Sequence, residues 1–118
     1  MPERRVAAER HTLPTPIPIE RIPSTYARPH FLGYARNVSE SGIFLQCPLP
    51  PPVGTHLSLR LSLPGARGAL VARRAEVRWV REYKGWESPP AGMGVRLGGL
   101  GNTEEDAWSA FCRTLPAD

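Results

Sequence analysis

Lysine is nearly absent from this chain: Lys84 is the only one, and every other basic side chain apart from three histidines is an arginine. Cysteine occurs twice, as Cys47 and Cys112, without CxxC spacing, which excludes a disulfide-dense framework. Both cysteines stand among apolar residues and read as buried free thiols. His11, His30 and His56 lie far apart and have no ligand-type spacing. GxSxG, HExxH and P-loop patterns are all missing. Catalysis needs a nucleophile with a base, a carboxylate pair or a metal site. Glu76 and Glu82 lie among arginines, where ion pairing is the simpler role. The sequence therefore reads as a protein that is not an enzyme. No stretch approaches the about 20 apolar residues of a membrane span. Met1-Pro2-Glu3-Arg4-Arg5-Val6 has no apolar run behind its charges, so the expectation is a cytoplasmic protein.

What is present is a chain of 118 residues, about the size of one domain. It is 41% hydrophobic and 22% charged, within the globular range. Fourteen prolines and 11 glycines break it into short pieces, which favours strands and turns. The net charge is +4, carried by arginine, whose planar fork suits phosphates and guanine edges. An anionic partner follows from that. A GC-rich genome also favours arginine codons, so the positions of the arginines carry more than their number.

Residues 1–12 are polar and arginine-bearing and read as a flexible basic N-terminal segment. Residues 13–118 read as the folded domain. From Thr12 to Glu20, Leu13, Thr15, Ile17 and Ile19 alternate with Pro14, Pro16 and Pro18. A strand with proline at every second position can pair along one edge at most. Further strands are expected over 30–38, Ile43–Cys47, His56–Leu63, Ala69–Val80 and Gly92–Leu97. In the fourth, Leu57, Leu59, Leu61 and Leu63 share one face. In the fifth, Ala75, Val77 and Trp79 share one, which makes Trp79 a core residue. The glycines at 92 and 94 suggest close backbone approach or a bend. Trp86, in a loop, is expected to pack back on the domain.

After Gly101 the period changes. Asn102 with Glu105 fits a helix N-cap with an acidic N3 residue. Ala107, Trp108, Phe111 and Leu115 form an apolar stripe over a helix of about 103–115. The fold class is mainly β: six short antiparallel strands, closed into a barrel to remove their edges, with a C-terminal helix docked on it.

The turn Asn37-Val38-Ser39-Glu40-Ser41-Gly42 is the candidate functional centre. Asn and Ser cap nearby amides. Glycine offers positive φ and open space above it. Such a turn makes a shallow cradle for a phosphate or a base edge, although it could also be a simple tight connection.

Asn37-x-Ser39-x-x-Gly42 resembles the (Asp/Asn)-x-Ser-x-x-Gly motif of PilZ domains, the bacterial receptors for cyclic di-GMP. Gly42-Ile43-Phe44-Leu45 is similar to the strand that follows that motif, and Pro52-Val53-Gly54 with the leucine strand to the next hairpin. Gly92-Met93-Gly94-Val95-Arg96-Leu97 resembles the late strand of a subgroup common in myxobacteria. The likeness runs from about residue 10 to 115. It implies a stand-alone cyclic di-GMP effector that changes conformation on binding and regulates a partner protein. Asn37, Ser39 and Gly42 would form one half of the ligand site. The family's other half, Arg-x-x-x-Arg upstream, is irregular here: Arg10 is in place, but Val6 stands where the first arginine would fall. A one-residue slip would let Arg5 act with Arg10, with Arg4 as a further candidate. The departure equally fits a degenerate adaptor that binds no nucleotide and acts by protein contact. The resemblance implies no cofactor beyond the ligand. A nucleic-acid-binding barrel is the remote alternative, since Arg78, Trp79, Tyr83 and Lys84 offer little basic-aromatic interleaving. The protein would be a monomer or a homodimer.

Overall fold

The computed structural model describes residues 10–23, 28–65, 68–86 and 88–116. Among these residues six strands, β1 (His11–Arg21), β2 (His30–Val38), β3 (Gly42–Gln46), β4 (His56–Leu61), β5 (Leu70–Arg81) and β6 (Gly92–Arg96), precede one helix, α1 (Asn102–Arg113). The strands close into an antiparallel barrel in the order β1-β2-β3-β6-β5-β4. β1 begins at His11, inside the stretch read as tail.

The prolines set how β1 pairs. It runs beside β2 from His11 to Arg21, whereas β4 meets it only at Ile19, Glu20 and Arg21, past the last proline. A ring without an N–H cannot serve a second neighbour. The register also slips between Thr12 and Ile17, so Thr15 turns outward while Leu13 and Ile17 stay buried. The leucines at 57, 59, 61 and 63 all enter the core, as their alternation requires, with Leu63 just beyond the strand end.

β5 departs from simple alternation. Its register shifts against β4 between Ala75 and Ala72, and against β6 between Val77 and Trp79. Each shift is a bulge that places two successive side chains outside, Arg73 with Arg74 and Arg78 with Trp79. Trp79 is consequently no core residue: it is 44% exposed, on the outer face. Val80 turns inward in its place and packs against the core.

The helix starts one residue earlier than its sequence signal. Gly101 is extended and is the N-cap, and the N3 residue is Glu104, whose carboxylate accepts the Gly101 N–H at 2.8 Å. Asn102 is already helical. Either glutamate could serve as N3, and the path through Gly98 and Gly99, whose carbonyls accept from Arg74 and Arg73 at the first β5 bulge, selects Glu104. Trp108 and Cys112 enter the barrel core, with Ala107, Phe111 and Leu115 packed around them. Among the described residues no helix is long and apolar enough to cross a membrane.

Candidate functional site

The turn between β2 and β3 is closed by two backbone bonds. Ser39 N–H donates to Gly42 O at 2.8 Å, and Gly42 N–H donates to Ser39 O at 3.4 Å. The hydroxyls of Ser39 and Ser41 lie 3.3 Å apart. Gly42 does not have positive φ, contrary to the expectation from the turn's composition. Its requirement is steric: a Cβ there would run into the Val95 carbonyl of β6. Glycine at 42 lets the two strands close to ladder distance beside the turn.

This turn forms one end of an open cleft of about 420 Å³ on the outer barrel surface. Small-molecule sites span roughly 300–1,000 Å³. Asn37, Ser39, Ser41 and Gly42 line it from the turn. Arg10 lines it from the residue just before β1. The pairing of His11 with Val38 and of Thr12 with Asn37 brings Arg10 there. Of the residues singled out in the sequence, Arg10, Asn37, Ser39 and Gly42 are thus together, and Arg4 and Arg5 lie outside the described residues.

The far side of the cleft comes from residues that sequence reasoning did not assign to it: Arg78, Trp79 and Arg96. The bulge in β5 is the cause for the first two, since it turns them outward in succession. The indole of Trp79 lies against Gly94, where any Cβ would overlap it. Phe44 likewise covers Gly92. The close approach signalled at Gly94 is therefore made by an aromatic ring, and the one at Gly92 by the Leu45 carbonyl of β3 together with the Phe44 ring. Trp79 and Phe44 stack at 5.5 Å and 10°, and the Arg81 guanidinium sits 4.7 Å from the Phe44 centroid. Trp79 is buttressed by Phe44 while part of its surface remains open to the cleft.

Among the described residues the charged side chains that line this cleft are all positive. Arg10, Arg78 and Arg96 bring three guanidiniums to its walls. One carboxylate, Glu76, stands beside two of them, 3.5 Å from Arg96 and 3.9 Å from Arg78. The surroundings thus offer hydroxyl and amide groups at one end, guanidinium forks along the sides and an indole face. That combination can bind phosphate oxygens by charge-assisted hydrogen bonds and hold a flat base by stacking. Both cysteines lie elsewhere, buried and free. Trp86 does not pack back as expected but stands 85% exposed in its loop.

The chain matches the PilZ domain family over residues 3–113. Among solved structures it is similar to the inhibitor of motility MotI/DgrA of Bacillus subtilis. The TM-score is 0.68 at 16% sequence identity, and the likeness covers 89% of this chain and 49% of that one. At that identity the likeness concerns the fold, and this chain spans about half the length of that protein. No curated protein matches it.

Proposed function

Since the chain belongs to the PilZ domain family, we propose that it is a receptor for cyclic di-GMP that changes conformation on binding and thereby regulates a partner protein. The observation that carries this reading is the meeting of Arg10 with Asn37, Ser39 and Gly42 in one cleft, beside Arg78, Arg96 and the open indole of Trp79. The ligand has two phosphates and two guanines. Guanidinium forks suit its phosphate oxygens and its guanine O6 and N7 edges. Ser39 and Asn37 supply hydrogen bonds at the turn, and Trp79 offers a stacking face. Arg4 and Arg5, upstream of Arg10, would close over the bound nucleotide and alter the surface shown to a partner.

The binding chemistry needs neither a nucleophile nor a metal, in keeping with a binding module and not a catalyst. A separate reading, an adaptor that works without nucleotide, is favoured by one observation: Val6 stands where the upstream motif would have arginine. Calorimetry with cyclic di-GMP separates the two. The receptor reading expects heat at micromolar ligand, and Arg10→Ala should remove most of it, while thermal unfolding of that variant stays close to wild type. Absence of heat with the wild-type protein would leave the adaptor reading in its place.

A further inference from the structure

The turn that lines the cleft has two faces. One presents the Ser39 and Ser41 hydroxyl side chains to the cleft. The other presents the carbonyls of Ser39 and Glu40 to α1, where Trp108 Nε1–H donates to both, at 3.1 and 3.2 Å. Trp108 is 1% exposed. Next to it, Ser109 Oγ donates to Glu40 Oε1 at 3.4 Å. That contact ties the one carboxylate of the turn to the helix. Two-residue connections between antiparallel strands usually take positive φ at their central residues. Glu40 and Ser41 do not. The turn therefore lacks the backbone preference that would hold it by itself, and the indole supplies bonds from outside.

The Arg10 side of the cleft is held from just beyond the same element. His11 follows Arg10, is 6% exposed, and its Nδ1–H donates to the carbonyl of Pro116, just past the end of α1, at 3.0 Å. The acceptor is a carbonyl, so the proton must be on Nδ1. The start of β1 is thus pinned to the exit of the helix, while the turn is pinned to its middle.

We propose that Trp108 and His11 are positioning residues of the cleft, through which the C-terminal helix and its exit hold the turn and Arg10 in the arrangement that receives an anionic ligand. This rests on the ligand site proposed above. Neither residue lines the cleft. Linkage makes the effect reciprocal: whatever loosens α1 weakens the ligand, and bound ligand tightens α1 on the barrel. A partner that grips the helix would thereby sense the occupied cleft.

The cleanest test replaces Trp108 with 3-benzothienylalanine, which keeps the ring shape and removes only the N–H donor. Two quantities are measured: affinity for cyclic di-GMP by calorimetry, and amide hydrogen exchange of the ligand-free protein. Affinity should fall about three- to tenfold, the effect of one net hydrogen bond lost. The Ser39 and Gly42 amides should exchange faster, while β4 and β5 amides keep their wild-type protection. Trp108→Phe should act in the same direction with some general loosening. His11→Phe should lower affinity and leave the turn amides unchanged. A merely structural role for Trp108 predicts faster exchange across the barrel with unaltered affinity of the folded protein, and that result overturns the proposal. If the wild-type protein gives no heat with cyclic di-GMP, the receptor reading fails. The brace is then decided by exchange alone: unchanged protection at Ser39 and Gly42 sinks it, and selective loss there upholds it.

Discussion

Among the described residues Arg78 and Arg96 share one counter-ion, Glu76, whose side chain is 25% exposed while both arginines are more than half exposed. A pair this open contributes little to folding, roughly 0.2–1 kcal/mol, but its charge opposes any anion entering the cleft. Glu76→Gln should therefore raise affinity for cyclic di-GMP by about two- to fivefold, read by calorimetry at low salt, and change unfolding only slightly. The residues of this cleft differ in how far the sequence exposes them. Arg10, Asn37, Ser39 and Gly42 stand out through the resemblance to the family's two motifs. Arg78 and Trp79 do not, because simple alternation along β5 assigns Trp79 to the core face and only the bulge moves it. Arg96 follows a recognisable glycine strand, yet nothing local says that it faces a guanidinium cluster. Gly42 is required by crowding against Val95 and not by positive φ, which its place in the turn suggests.

Among the elements, α1 has the sharpest local definition. Its apolar stripe at 107, 108, 111 and 115 gives its buried face, to which Cys112 adds. Its N-cap carries a side-chain bond, from Gly101 N–H to the Glu104 carboxylate. Glu104→Ala should lower stability by about 0.5–1 kcal/mol. Asn102→Ala, at a residue already helical, should cost only a few tenths of that scale. Urea unfolding of the two variants checks the order. If Asn102→Ala proves the more harmful, the cap lies where the sequence alone suggested. Strands are less self-evident than the helix. β1 and β4 follow their alternation, with prolines predicting the limited pairing of β1. β5 needs two bulges whose positions come from the strands on either side.

At the scale of the whole molecule, the barrel and helix enclose one core that keeps both thiols from water. Burial pushes Cys112 up from its ordinary value of 9.0 to about 11, with the Glu40 charge adding to the effect and Arg113 opposing it. Burial raises Cys47 as well. A thiol held neutral in the fold contributes stability below the unfolded value. As pH climbs from about 9 to 11 the unfolded chain ionises first, and that stability is lost. Cys112→Ala should flatten this alkaline decline relative to wild type, as measured by denaturant unfolding across the window. An equal decline in both proteins would show that the thiol does not contribute. Both thiols should also resist alkylation at neutral pH until the protein opens.

The sequence by itself determined the class of this protein. Alternating leucines, spaced prolines and a late change to helical period permit few arrangements other than a short-stranded barrel with a docked helix. Those signals are local, because the periods of strand and helix are properties of a few successive residues. The same holds for the turn at 37–42, whose residue types mark it before any fold is known. Tertiary structure decided the rest. Arg10 reaches the turn because β1 pairs with the end of β2, and Trp79 faces the cleft because β5 bulges where its register against β6 shifts. Trp108 reaches the back of the turn across 69 residues of chain. No local pattern encodes a contact of that span: it exists only once the barrel has closed and the helix has docked.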